Sequence, residues 1–201
     1  MSKPFSPACE RNSAPILAVL RGVLRNASSV LEIGSGTGQH AVHFARHLQH
    51  LQWHASDLPE NHPGIHAWLE EAELDNVLPP VALDMQSPVW PGIAFDAAFT
   101  ANTAHIMSWP QVETMIAGVA ARLPPGGLFC IYGPFNYEGR FTGQGNADFD
   151  AALKAAVPHR GLRDFEAVVT VAAAHGMTLQ ADNAMPADNR LLVFGRTADS
   201  R

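Results

Sequence analysis

The sequence predicts an α/β fold built on a mostly parallel sheet, and three observations predict it. Short apolar runs alternate with helically spaced apolar residues along the chain. A glycine-rich turn follows the first strand-like run. The last two runs are joined by a short turn, so they are expected to pair antiparallel.

The elements follow in order. Ser13 is placed to cap a first helix with Pro15 in its first turn, and Ile16, Leu17, Val19, Leu20, Val23 and Leu24 form its apolar face. A buried strand is expected at 29–34. A helix at 38–48 turns Val42, Phe44, Ala45 and Leu48 inward. Further strands are expected at 51–57, 78–84 and 95–101, with Ile65, Trp68, Leu69 and Ala72 at helical spacing after the first of these. A helix at 110–123 carries Val112, Met115, Ile116 and Val119 on one side, and Pro124-Pro125-Gly126-Gly127 stops it. The run 127–133 is apolar on both faces, as a central strand should be. Helices at 148–157 and 164–175 precede strands at 177–184 and 190–196, joined by Pro186-Ala187-Asp188-Asn189. The expected sheet has seven strands, and the 201 residues suit a single domain, 1–201, around one core.

Composition narrows the function classes. The chain is 47% apolar and 16% charged, ordinary for a globular protein. Its net charge is −6 and no basic run appears, so no nucleic-acid footprint is expected. Cys9 and Cys130 form no CxxC pair, and no secretory apolar stretch opens the chain, so a reducing, cytoplasmic setting is expected. No apolar run reaches the roughly 20 residues of a membrane span. His40, His43, His47 and His50 recur at helical spacing beside the apolar face; without a cysteine or carboxylate at ligand spacing they read as a solvated flank, and no metal is expected.

The chemistry concentrates at strand ends. In residues 30–38 an apolar strand carrying Glu32 runs into Gly34-Ser35-Gly36-Thr37-Gly38. Glycines let the backbone bend sharply and admit a ligand closely. A dinucleotide fingerprint would place glycine or alanine at position 39, which is glutamine. The pattern that fits, acidic-x-Gly-x-Gly-x-Gly, resembles motif I of the S-adenosylmethionine-dependent methyltransferases. The topology and motif together resemble the Rossmann-like class I methyltransferase fold, a seven-stranded, mostly parallel sheet with one antiparallel strand and helices on both faces. On that resemblance, Glu32 orients the ligand's ammonium, directly or through water, while amides of Gly34, Ser35, Gly36 and Gly38 meet its carboxylate. Asp57, with Leu58 after it, closes the next strand, where a carboxylate accepts from ribose hydroxyls or, alternatively, caps the following helix. Asp84 and Met85 close the third, where the resemblance implies contact with adenine and the alternative is a strand-end cap.

The remaining candidates face the methyl acceptor. Asn102 and Thr103 are polar groups expected near the sulfonium. His105 is the candidate base or substrate ligand, with a structural contact as the alternative. Trp109 walls the pocket or packs in the core. Tyr132 is a second catalytic candidate, and Phe135, Asn136 and Tyr137 are candidates to hold a small-molecule acceptor or to form a lid.

The segment 6–17 with LEIGSGTGQH, ASDLPEN, TANTAHIMSW and YGPFNYEGRFT resembles, over nearly the whole chain, a family of uncharacterised methyltransferase-like proteins found in bacteria, with an animal relative of methyltransferase-like name. The resemblance implies S-adenosylmethionine binding and supplies no acceptor. Arg11 and Asn12, in an N-terminal segment 1–12, are expected to fold over the cofactor, or only to cap and solvate the helix. Rival readings are a non-catalytic cofactor-binding protein or partner subunit, and an NAD-linked oxidoreductase. Oligomeric state is not readable from the sequence.

Overall fold

A computed structural model describes residues 3–197. The chain divides into two compact units, the first ending at Phe99 and the second beginning at Thr100.

The first unit comprises α1 (Pro7–Val23), β1 (Ser29–Ile33), α2 (Gln39–His47), β2 (Gln52–Asp57), a 3-10 turn at Pro59–Asn61, α3 (His62–Ala72) and β3 (Val77–Ala82); β4 (Ala97–Ala101) carries the division between units. β1 and β2 pair in parallel from Ser29 opposite Gln52 to Ile33 opposite Ser56, and β2 pairs in parallel with β3 with a register shift between His54 and Ser56. Phe44, Trp53 and Phe99 meet with ring centroids 5.3 to 5.9 Å apart in the core of this unit, fully buried with Ile16, Leu20 and Leu31. Aromatic clusters of this kind add specific packing to the area they bury.

The second unit comprises α4 (Trp109–Ala120), β5 (Leu128–Asn136), α5 (Gln144–Ala156), β6 (Arg163–Asp164), α6 (Phe165–Ala174), β7 (Met177–Met185) and β8 (Asn189–Arg196). β8 runs antiparallel to both β5 and β7, so β8 is the reversed strand and β7 runs with β5. The strand order is β3-β2-β1-β4-β5-β8-β7.

The structure corrects several boundaries. The sheet has eight strands rather than seven, because Arg163–Asp164 pairs in parallel with Phe135 and Asn136. Two residues are too few to carry an alternating pattern. α1 starts at Pro7, not after Ser13: Ser6 is the cap, accepting from the Cys9 amide at 3.3 Å, and Pro7 takes the first helical position, where its missing N–H costs nothing. Ser13 instead turns back on the Cys9 carbonyl at 2.7 Å, and Pro15 lies inside the helix. The segment 7–12 is therefore two turns of helix. α5 begins at Gln144 rather than 148, entered from Gly143 without a side-chain cap, and β5 continues to Asn136. The histidine flank of α2 is not uniformly solvated. His40 is buried and stacked on Phe44 at 5.2 Å, and desolvation pushes its pKa down to about 4, while His47 and His50 are exposed.

Candidate functional site

The glycine turn leaves the carboxyl end of β1, where open α/β sheets bind ligands. Gly34, Gly36 and Gly38 all have positive φ, 73°, 58° and 89°, so the turn needs the conformations glycine adopts freely. A Cβ at Gly38 would stand 3.0 Å from the Ile65 backbone, whereas one at Gly36 would meet nothing within 4 Å. Gly38 is thus required by packing, and Gly36, the exposed residue of the turn, has open space above it.

Carboxylates brace this turn from beneath. Glu32 is buried, and its Oε2 accepts from the Trp53 indole and the Ser35 hydroxyl, each at 3.0 Å. Desolvation raises its pKa to about 7, with nearby Asp57 adding to the rise. The Ser56 carbonyl accepts from the Gly34 and Ser35 amides at 2.9 and 3.0 Å, and the Ser56 hydroxyl donates to the Glu32 carbonyl at 2.6 Å.

Asp57 joins the turn to the next element. Its Oδ2 accepts from the Gly36 amide at 2.6 Å; its Oδ1 accepts from the Leu58 amide at 2.7 Å and the Asn61 side chain at 2.8 Å. A carboxylate offers about four acceptor positions, so one is left for a ligand hydroxyl before any rearrangement. Asp84 lies just past β3; its Oδ1 accepts from the Gln86 amide at 2.8 Å, the geometry of the cap alternative, and Met85 beside it is buried.

A fastening not foreseen in the sequence ties the chain's beginning to the turn. Gln39 Oε1 accepts from the Ser6 amide at 2.5 Å and the Thr37 hydroxyl at 3.0 Å, and Gln39 Nε2 donates to the Ser6 carbonyl at 3.3 Å. Upstream, the Trp68 indole donates to the Pro4 carbonyl at 2.7 Å, and Lys3 lies over the Trp68 ring while pairing with Glu71 at 2.6 Å. Arg11 is exposed on α1 and Asn12 half-buried. A groove of about 290 Å³ on this unit runs past Glu10, His43, Arg46, Trp68 and Glu71. Its walls are charged helix flanks, and it lies outside the glycine turn except at Gln39.

In the second unit, Asn102 adopts φ 60° and its amide donates to the Tyr132 carbonyl at 2.9 Å. A non-glycine residue held there marks a turn the fold insists on, and asparagine tolerates it best. His105 is buried, its ring edge-on to Phe149 at 5.2 Å. Burial, then the charges of Arg163 and Arg160, push its pKa down to about 4, so the imidazole is neutral near pH 7. The Tyr132 hydroxyl and Asn136 Oδ1 are sealed from solvent without a partner, and burial pushes Tyr132 up to about 12. These residues are four apart on β5 and so share a face. Phe135 is buried. Tyr137 is committed to the β7–β8 hairpin: its hydroxyl donates to Asp182 at 2.9 Å, its ring stacks on Phe165 at 4.8 Å, and Arg190 pairs with the same Asp182 at 2.7 Å. Trp109 opens α4 half-buried, after a Ser108–Gln111 capping box. Among the described residues no cluster of three or more histidine, cysteine, aspartate or glutamate side chains is arranged to hold a metal, and no helix is long and apolar enough to cross a membrane.

The model of a family described as a protein of unknown function, DUF938, matches residues 3–196. Among solved structures, an O-methyltransferase family protein from Burkholderia thailandensis superposes with a TM-score of 0.82 at 21% identity, over 96% of this chain and 58% of its own. Human N-acetylserotonin methyltransferase, solved in complex with SAM, gives 0.79 at 14% identity, over 95% and 53%. The mitomycin 7-O-methyltransferase MmcR gives 0.80 at 14% identity, over 94% and 54%. The chain spans a little over half the length of each of these proteins. The fold is the mostly parallel α/β fold of class I methyltransferases.

Proposed function

The chain belongs to the DUF938 family, and we propose that it is an S-adenosylmethionine-dependent methyltransferase acting on a small molecule. The observation that carries this reading is Asp57 held 2.6 Å from the Gly36 amide at an open, three-glycine turn after β1. The residues fit a nucleoside with a zwitterionic tail: a glycine turn whose own amides are taken up by Ser56, Asp57 and Ser35 but which leaves open space at Gly36, an acidic brace beneath for an ammonium, and the remaining acceptor position of Asp57 for a ribose hydroxyl. Asp84 and Met85 are assigned the adenine, and Arg11 and Asn12 the outer edge of the cofactor.

Bound S-adenosylmethionine supplies an electrophilic methyl group: the acceptor's lone pair forms the new bond to carbon, and sulfur keeps the electron pair of the broken one. The chain's own work is binding, alignment and exclusion of water. Asn102 and the groups along β5 orient the acceptor, and Tyr132 and Asn136 bring the unpartnered polar atoms there. Near pH 7 the neutral His105 ring hydrogen-bonds the acceptor; with a pKa of about 4 it is a weak proton acceptor, so an acceptor hydroxyl is activated little by it. That same weakness favours a second reading, a cofactor-binding protein without turnover.

Calorimetry against S-adenosylhomocysteine and NAD tests the ligand assignment, with binding of the first alone expected. Binding of NAD alone sinks it. Transfer of labelled methyl from S-adenosylmethionine into a metabolite extract is the expected sign of an enzyme; binding without any transfer favours the second reading.

A further inference from the structure

Two arginines close together in the second unit are satisfied to very different degrees. Arg163, in β6, is engaged on three of its N–H groups: its Nε donates to the Ala104 carbonyl at 2.9 Å, and Nη2 to the carbonyls of His159, at 3.1 Å, and Met107. It clamps the loop after β4. Arg160, in the connection before β6, is half-buried, and its Nε is sealed from solvent with no acceptor. A buried guanidinium N–H without a partner is costly and calls for an explanation.

The surroundings of Arg160 supply one. Its neighbour Gly161 donates its amide to the His105 carbonyl at 3.0 Å, fastening this connection to the same loop. The charges acting on the His105 ring are those of Arg163 and Arg160, both positive. The Gly133 backbone lies against the His105 ring: a Cβ there would stand 3.7 Å from His105 Nδ1 and 4.0 Å from Asn102 Oδ1. The corner thus holds a positive charge with an unfilled N–H and a neutral imidazole, with the side-chain-free backbone of Gly133 against the ring.

We propose that this corner of the second unit binds the methyl acceptor through a carboxylate, with Arg160 as its cation and His105 as a hydrogen-bonding neighbour. Guanidinium and carboxylate match in shape and charge. One uncommitted guanidinium balances one negative charge, whereas a phosphate monoester near neutral pH brings about 1.5 to 2. Arg160 and His105 are then specificity residues of the acceptor site, and the acceptor is a small carboxylic acid. This rests on the methyltransferase reading.

The test uses the full chain saturated with S-adenosylhomocysteine, whose binding is measured first and separately. Acetate, lactate, benzoate and 4-hydroxybenzoate are titrated beside their primary amides and phenyl phosphate, with histidine ring nitrogens followed by NMR. At least one carboxylate should bind and shift the His105 signals, with its amide weaker by about tenfold or more. R160Q should remove that preference while keeping the melting temperature and S-adenosylhomocysteine affinity, and R160K should restore part of it. Amides binding as well as acids, preference for phenyl phosphate, a preference that survives R160Q, or no carboxylate binding at all each overturns the proposal. Failure of S-adenosylhomocysteine itself to bind overturns the underlying reading instead.

Discussion

The two units treat their polar groups differently. Around the glycine turn the carboxylates are held by the fold: Asp57 accepts from Gly36, Leu58 and Asn61, and Glu32 from Trp53 and Ser35. In the second unit the Tyr132 hydroxyl, Asn136 Oδ1 and Arg160 Nε are buried without partners. The first unit has unpartnered atoms too, but they are imidazole nitrogens of His40 and His43 on α2, not the carboxylates at the turn. A site whose groups already hold one another is preorganised, and its ligand adds to a finished frame. A site with orphaned groups carries a cost that a ligand removes. The glycine turn, proposed above as the donor side, belongs to the first kind, and the proposed acceptor side to the second.

The comparison is broken most severely at Asp57. D57A leaves the Gly36 and Leu58 amides and the Asn61 side chain without their acceptor, so a loss of about 3 kcal/mol or more is expected in urea unfolding, with S-adenosylhomocysteine binding abolished in calorimetry. Unchanged affinity would remove Asp57 from the ligand site.

Glu32 gives a pH signature. Its pKa is about 7 in the folded chain against an ordinary 4.5, so between these values the folded state binds the extra proton. Stability from this group is full below pH 4.5, falls as pH rises through the window, and levels off above pH 7, by about 3 kcal/mol at most. E32Q should flatten the dependence of the urea midpoint across that range; an unchanged slope would show that another group sets it.

The glycines separate packing from access. G38A places a side chain at φ 89° and 3.0 Å from the Ile65 backbone, and about 2 kcal/mol of stability should be lost. G36A meets no neighbour at φ 58°, and about 1 kcal/mol should be lost while S-adenosylhomocysteine affinity falls further than for any buried-core change of equal cost. Equal thermal shifts for the two variants would contradict this division.

The smallest effects belong to the tyrosines. Y137F loses the bond to Asp182, about 1 kcal/mol, whereas Y132F removes a hydroxyl with no partner and should leave the melting temperature unchanged or slightly raised. A clear loss in Y132F would mean that its hydroxyl is satisfied in the free protein.

The glycine turn was legible because its residues are close in sequence and their order is set by the strand–turn–helix path: Glu32, the glycines and Asp57 stand at the strand ends where spacing puts them. The corner around His105 was less so. Arg163, which donates to the Ala104 and Met107 carbonyls, and Gly161, which donates its amide to the His105 carbonyl, reach the loop after β4 from far along the chain, and no local pattern announces such a contact. α1 was misplaced because Ser13 and Pro15 imitate a helix start, while the true cap at Ser6 is reinforced by Gln39, a partner distant in sequence. Tyr137 looked like an acceptor contact until Asp182 claimed its hydroxyl.

The double hydrogen bond between Gln39 and Ser6 has a practical consequence. Unwinding the first turns of α1 and disturbing the glycine turn are one event, because the same glutamine holds both. Trypsin reaches the exposed Arg11 only when that helix opens, so digestion should slow when the turn is occupied. An affinity tag fused ahead of Lys3 pulls on this fastening, and one placed at the other end of the chain does not.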